Sequence, residues 1–171
     1  MKFRHITAGD RDAFYHLIQK NKDRLADYFP VTLEKAATPD ITAESIKMYQ
    51  VLLEKGELYT LLIENDEAKI IGLVFIKNID PKNRKCELGY FIDKDEEGKG
   101  IMSEAIKETI NIAFNDLGLH KIYCRIGIDN EKSNNLVLRN GFKLEGVLRD
   151  DHMKSDGTLI DLNYYGLLKS N

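Results

Sequence analysis

The stretch ELGYFIDKDEEGKGIMSEAI, residues 87–106, joins a strand-like run to an amphipathic helix through a loop that contains two glycines. Gly98 and Gly100 flank a lysine in this loop, and glycine lets backbone amides approach a bound anion closely. The helix that begins near Ile101 adds free N–H groups and the positive end of its dipole. These residues alone leave two interpretations open, a phosphate-binding loop and a plain glycine turn between a strand and a helix.

Two common phosphate-binding motifs do not match this loop. A Walker loop requires Ser or Thr after Gly-Lys, whereas Gly98-Lys99 is followed by Gly100. A dinucleotide-binding loop requires a third glycine, and the residue at that position is Ser103. Neither motif therefore identifies a ligand.

The hydrophobic pattern along the chain predicts an α/β (α+β) protein. Strands are predicted at residues 2–7, 58–64, 69–79, 85–92, 121–128, 142–148 and 158–168. Helices are predicted after Asp10 to residue 21, from a Thr42 cap to residue 55, over residues 101–117 and over residues 131–140. Residues 23–40, which include Pro30 and Pro39, show no regular pattern. The order βααβββαβαββ predicts a single mixed, mostly antiparallel sheet of about seven strands with helices on both faces.

Composition limits the possible partners and compartments. A chain of 171 residues is predicted to form one domain, and its net charge of −3 gives no support to a nucleic-acid partner. We expect a cytoplasmic protein without a membrane partner, because no apolar run is long enough to span a bilayer and the first residues do not resemble a signal peptide. Cys86 and Cys124 lie in apolar runs and are predicted to be buried free thiols. The histidines show no metal-ligand spacing, so no metal is predicted.

Five segments in order along nearly the whole chain resemble the GNAT acyltransferase superfamily. These segments are NKDRLADYFP, NIDPKNRKCELGYFID, GKGIMSEA, DNEKSNNLVLRNGFKLEG and DGTLIDLNYYGLL. Together they are most similar to the RimJ/RimL branch, which acetylates the N-termini of ribosomal proteins. The resemblance implies a GNAT fold and acetyl-CoA as co-substrate.

The resemblance also implies which residues bind acetyl-CoA. The pyrophosphate is expected on the loop and the helix start, at Gly98, Lys99, Gly100, Ile101, Met102 and Ser103. The backbone of Tyr90, Phe91 and Ile92 is expected to align the pantetheine arm, the following strand to diverge, and Asn130 to steady the arm.

The loop departs from the family pattern at one position, where Glu97 stands in place of the usual Gln or Arg. A carboxylate beside a pyrophosphate is unfavourable unless its side chain turns outward to solvent. Lys99 adds a compensating positive charge.

Two residues are candidates for proton transfer during catalysis. Ser133 matches the family residue that protonates the departing thiolate, although a small residue in the first turn of a helix needs no catalytic role. His152 stands where the RimL-like branch has a glutamate as general base, and histidine can accept a proton near neutral pH. A partly exposed histidine at a strand end, without a catalytic part, is the alternative.

The acceptor predicted from the resemblance is the N-terminal α-amine of a ribosomal protein. Two alternatives remain open from the sequence: acetylation of a small amine, polyamine or lysine side chain, and a non-catalytic acyl-CoA sensor. RimL-like proteins are often dimers, so the resemblance also leaves a homodimer open.

Overall fold

The computed structural model describes residues 1–169. Seven strands within this range form one mixed sheet. The strands are β1 (Lys2–His5), β2 (Tyr59–Glu64), β3 (Ile70–Asp80), β4 (Lys85–Ile92), β5 (Lys121–Gly127), β6 (Lys143–Met153) and β7 (Leu159–Leu168). Their order in the sheet is β1-β2-β3-β4-β5-β7-β6. The pairs β1–β2, β5–β7 and β6–β7 are antiparallel, whereas β4–β5 is parallel. The predicted sheet is therefore confirmed.

The helices are α1 (Arg11–Lys20), α2 (Lys22–Leu25), α3 (Pro30–Glu34), α4 (Pro39–Glu54), α5 (Ile101–Asn111) and α6 (Glu131–Arg139). Short 3-10 turns lie at Ala8–Asp10 and Lys94–Glu96, and a π-helical turn at Ile112–Asp116 extends α5 towards Gly118. Within residues 1–169, none of the helices is both long and apolar enough to cross a membrane.

The predicted start of α4 was wrong. The helix is capped by Thr38, whose side-chain oxygen accepts a hydrogen bond from the Ile41 amide at 3.2 Å. Pro39 occupies the first turn, where a missing N–H costs nothing. Thr42, the predicted cap, is fully buried inside the helix, and its hydroxyl donates to the Thr38 carbonyl at 2.7 Å.

Two further predictions about elements need correction. Residues 22–34 contain α2 and α3, which are too short to produce a helical pattern, so the element order has two more helices than predicted. Strand β6 extends to Met153 rather than ending at residue 148. Its pairing with β7 shifts register between Leu144 and Gly146 and again between Leu148 and His152, so the alternation breaks and hides the full strand.

The described chain forms two compact units. The first comprises Met1–Phe75 and Tyr90–Ile101, and its core is an apolar cluster that includes Phe14, Ile18 and Leu62. The second comprises Ile76–Gly89 and the chain from Met102 onward, and it buries residues such as Ile106. That the whole chain acts as one domain stays a prediction.

Cys86 and Cys124 are buried free cysteines, as predicted. Burial raises the pKa of Cys86 to about 12 and that of Cys124 well above its usual value. Since the thiolate is the reactive form, burial disfavours reaction of either thiol at neutral pH.

Candidate active site

The glycine loop has a backbone that other residues rarely adopt. Gly98 has φ +76° and Gly100 has φ +80°, both in the left-handed region. A Cβ built on either glycine would meet no atom within 4 Å, so the space beside the backbone is open. Helix α5 begins directly afterwards at Ile101. An open, left-handed loop that leads into a helix N-terminus can present backbone amides to an anion.

The charged side chains of the loop are paired. The Glu97 carboxylate, the departure from the family pattern, forms an ion pair with the Arg24 guanidinium. The Lys99 ammonium donates to the Glu96 carboxylate at 2.8 Å and is about half exposed. Sequence reasoning identified the Glu97 problem but not its partner, which lies 73 residues away in the chain.

The first residues of α5 differ in exposure. Ile101 and Ser103 are partly exposed, whereas Met102 is buried. The Ser103 hydroxyl donates to the Asn140 side-chain oxygen at 3.0 Å. Ser103 therefore also has a structural partner beyond its predicted place near a ligand.

Strand β4 carries the residues predicted to align the pantetheine arm. Phe91 is buried, with its ring 5.8 Å from that of Phe29, while Tyr90 and Ile92 are partly exposed. Gly72 on β3 fits against this strand, because a Cβ there would lie 2.8 Å from the Phe91 carbonyl oxygen. A side chain at Gly72 would thus displace the strand.

The ladder between β4 and β5 is short. It pairs Lys85 with Lys121, Cys86 with Ile122 and Glu87 with Tyr123. Strand β4 continues for five residues after Glu87 to Ile92, and β5 continues along β7 to Gly127.

The N-terminus of α6 brings Asn130 and Ser133 together. Asn130 is the cap residue, and its side-chain oxygen accepts a hydrogen bond from the Ser133 amide at 3.2 Å. This cap uses the oxygen, which leaves the side-chain NH₂ group as a donor. Ser133 is partly exposed in the first helical turn, where the helix dipole favours negative charge.

Asn134 is a site residue that sequence reasoning missed. Its side chain is buried and makes four hydrogen bonds within the second unit. The NH₂ group donates to the carbonyls of Gly127 at 2.9 Å and Asn130 at 2.8 Å. The oxygen accepts from the Tyr165 hydroxyl at 2.8 Å and from Asn163 at 2.9 Å. Asn134 therefore fixes the start of α6 against the end of β5 and the middle of β7.

His152 lies in β6 opposite Ile160 and is partly exposed. It follows the second register shift of this strand, where three residues of β6, 149–151, lie opposite one residue of β7, Asp161. Asp150, inside this bulge, has φ +49°, and its amide donates to the Asp161 carboxylate at 3.0 Å. A bulge of this kind changes the direction of the side chains that follow it.

A buried carboxylate on β4 was also missed. Glu87 accepts two hydrogen bonds from Arg125 at 3.2 Å and one from Asn78 at 2.6 Å. The Lys77 ammonium lies 3.6 Å from the same carboxylate. Arg125 also reaches Asp151, the neighbour of His152, at 3.4 Å. An acidic residue inside an apolar strand is the signal in the sequence that could have indicated this cluster.

No group of three or more His, Cys, Asp or Glu side chains suited to a metal ion occurs in the described part of the chain.

Residues 1–143 match the sequence model of a family described as the acetyltransferase (GNAT) domain. The chain belongs to the GNAT acetyltransferase family. The resemblance that the motifs indicated is therefore confirmed.

Relatives of this GNAT chain have names that refer to N-acetyl transfer. The Bacillus subtilis (strain 168) protein YdaF, provisionally named a ribosomal N-acetyltransferase, is 34% identical over 173 residues, which cover 97% of this chain and 90% of YdaF. The ribosomal-protein-serine acetyltransferase of Escherichia coli (strain K12) is 30% identical over 151 residues, 88% of this chain and 83% of that protein. The chain is an N-acetyltransferase of the RimJ/RimL type.

Solved structures confirm the GNAT fold. The crystal structure of a provisionally named acetyltransferase has a TM-score of 0.90 and 32% identity, and the match covers 98% of this chain and 92% of that one. The microcin C7 self-immunity acetyltransferase MccE, solved with acetyl-CoA and AMP, has a TM-score of 0.86 and 26% identity over 98% of this chain and 91% of MccE.

Proposed function

We propose that this protein transfers the acetyl group of acetyl-CoA to the N-terminal α-amine of a protein, with a ribosomal protein as the natural acceptor. The observation that carries the acetyl-CoA assignment is the open, left-handed backbone of Gly98 and Gly100 at the start of α5. A backbone of this kind can present amides to a diphosphate, and the acetyl-CoA complex of the related MccE supports the choice of ligand. The pyrophosphate is assigned to the backbone amides of residues 98–103.

The pantetheine arm is assigned to the backbone of β4. This strand continues to Ile92 beyond its three-residue ladder with β5, which supports Tyr90, Phe91 and Ile92 as the residues that hydrogen-bond the arm. Asn130 contributes its side-chain NH₂ group, since its oxygen caps α6.

Ser133 is assigned as the acid. During transfer the amine nitrogen attacks the thioester carbonyl carbon, the C–S bond breaks, and the thiolate takes up one proton while the amine releases one. The Ser133 hydroxyl supplies the proton to sulfur and regains one from solvent water. Its place in the first turn of α6 helps further, because the positive helix end stabilises the negative charge that develops on the thiolate.

His152 is assigned as the group that receives the proton from the amine. An α-amine has a pKa of about 7.7–8.0 and a lysine amine about 10.4, so at pH 7 roughly a tenth of α-amines are neutral against fewer than about one lysine in a thousand. A site with a histidine as its base therefore suits an α-amine better than a lysine. Relatives named as ribosomal-protein acetyltransferases support a ribosomal protein as the acceptor.

A panel of acceptors tests the proposal. CoA release would be measured with ribosomal-protein N-terminal peptides that carry a free α-amine, with the same peptides blocked at the α-amine but containing lysine, and with spermidine. The spermidine arm is included because a spermidine N(1)-acetyltransferase of Vibrio cholerae is 25% identical over 151 residues. We expect the free α-amine to give the highest kcat/KM.

Two outcomes of this panel would contradict the proposal. Preference for spermidine or for blocked peptides would assign a different acceptor, and tight acetyl-CoA binding without turnover on any amine would favour a sensor. Repeating the peptide assay with His152→Ala between pH 6 and 9 tests the base. The variant should lose activity below neutral pH and approach wild type near pH 9, where the α-amine deprotonates unaided.

A further inference from the structure

The segment that leads into the glycine loop is held by the end of α1 and by α2. The Lys20 ammonium donates to the carboxylates of Asp93 and Asp95, both at 2.6 Å. The side-chain oxygen of Asn21 accepts from the backbone amide of Lys94 at 3.1 Å. Asp93 and Asn21 are both buried, so these contacts fix the backbone at the end of β4.

Arg24 adds the contact nearest to the glycines. One of its terminal nitrogens donates to the side-chain oxygen of Asn21 at 3.2 Å and to the Ile92 carbonyl at 3.4 Å. The other forms the ion pair with Glu97, the residue immediately before Gly98. Arg24 therefore bridges the last residue of β4 and the first residue of the loop.

The charge balance of this segment gives Arg24 a second role. Residues 93–97 carry four carboxylates, on Asp93, Asp95, Glu96 and Glu97. Lys20 and Lys99 pair with three of them, and Arg24 pairs with Glu97. Without Arg24, the Glu97 carboxylate would lose the guanidinium charge that is paired with it, next to a loop that binds a doubly charged diphosphate. Like charges in such proximity repel, and the repulsion weakens binding.

We infer that Arg24 is a positioning residue for the coenzyme, which neutralises Glu97 and thereby lets a GNAT loop with a carboxylate in this position bind a diphosphate. The inference rests on the proposed binding of acetyl-CoA by residues 98–103. It explains how the chain accommodates its departure from the family pattern. The compensating cation comes from α2, more than seventy residues before the loop, rather than from the loop itself.

The test is a double-mutant cycle on acetyl-CoA affinity, measured by calorimetry. Arg24→Met removes the charge but keeps an aliphatic stem, and it should weaken binding about five- to tenfold. Glu97→Gln should bind acetyl-CoA as tightly as wild type or more tightly. The double variant should return to within about twofold of wild type. Arg24→Lys, which keeps the charge, should retain most of the affinity.

Two controls separate charge compensation from general damage to the fold. Arg11 forms a comparable surface ion pair with Asp12 on α1, so Arg11→Met should leave acetyl-CoA affinity unchanged. S-acetylpantetheine lacks the diphosphate, so kcat/KM with this donor should be equal in wild type and Arg24→Met.

Each failure has a separate signature. If wild-type protein binds no acetyl-CoA, the proposed function is wrong. If wild type binds and Arg24→Met binds equally well, the inference is overturned. It is also overturned if Glu97→Gln is as weak as Arg24→Met or the double variant shows no recovery, because a purely structural clamp would behave in that way. If Arg24→Met fails to fold, the affinities of Arg24→Lys and Glu97→Gln still decide between charge compensation and a purely structural clamp.

Discussion

The Tyr165 hydroxyl donates a 2.8 Å hydrogen bond to the side-chain oxygen of Asn134, one residue after the candidate acid Ser133. The same Asn134 side chain donates to the carbonyl of Gly127 at the end of β5. The first turn of α6 is thus fixed to β7 and β5 through one buried amide. Since Ser133 lies in that turn, its position depends on a residue that need not touch any substrate.

Replacement of Asn134 by alanine should destabilise the protein by about 2–3 kcal/mol, because it leaves several buried donors and acceptors without partners. Asn135→Ala, at the exposed neighbouring position on α6, should change the free energy of unfolding by less than about 0.5 kcal/mol. Urea unfolding of both variants measures the difference. Equal stability of the two variants would show that the Asn134 network contributes little.

Gly100→Ala should weaken acetyl-CoA binding, whereas Gly118→Ala should not. Both glycines have left-handed φ values, +80° and +64°, and a Cβ on either would meet no atom within 4 Å. The backbone cost of alanine should therefore be similar at both positions, about 1–2 kcal/mol. Only Gly100 precedes the helix start assigned to the pyrophosphate. Calorimetric titration of both variants with acetyl-CoA measures the affinities. Undiminished affinity in Gly100→Ala would contradict the assignment of the loop to the binding site.

Ser133→Ala should lower kcat about 10²-fold with little change in acetyl-CoA affinity, because the proton is needed only as the thiolate leaves. Asn135→Ala again provides the control on the same helix. Steady-state kinetics and calorimetry separate the two effects. Activity near wild type in Ser133→Ala would require another acid, such as water.

Asp10 should make the stability of the protein sensitive to acid. Burial alone would raise the pKa of Asp10, but hydrogen bonds from Arg4 and Thr7 outweigh it and hold the pKa below the ordinary value of 3.8. A carboxyl group whose pKa is lower in the folded state than in the unfolded state stabilises the fold. This contribution is fully present above the unfolded pKa and is lost as the pH falls through the folded pKa.

Asp10→Asn should therefore cost about 1–3 kcal/mol near pH 7, and the difference from wild type should shrink steadily below about pH 4. Urea unfolding from pH 2.5 to 7 measures it, with exposed Asp23→Asn as the control. A difference that stays constant across this range would contradict the lowered pKa.

The strands and the longer helices could be predicted from the sequence because each buries a regular apolar face. Strand β4 was predicted with its observed bounds, Lys85–Ile92, because the polar residues 80–84 and 93–97 flank it. The start of α4 was missed because Pro39 was assigned to the unpatterned residues 23–40, although proline is common in the first turn of a helix. Helix α3 has five residues, too few to show a period.

The candidate site was predictable only where its residues are consecutive or nearly so. The glycine loop and the Asn130–Ser133 pair lie within short motifs, so their local geometry follows from local sequence. Arg24, which pairs with Glu97, and Asn163 and Tyr165, which donate to Asn134, lie far away in the chain, and pairs of that kind depend on the tertiary fold.

The proposed acceptor is tested most directly by one measurement on a single peptide. A ribosomal-protein N-terminal peptide with a free Ser or Ala α-amine and one internal lysine would be incubated with the protein and acetyl-CoA at pH 7, and the modified nitrogen would be located by fragmentation mass spectrometry. We predict one acetyl group on the α-amine and an unmodified lysine. Acetylation of the lysine side chain in preference to the α-amine would contradict the proposed function.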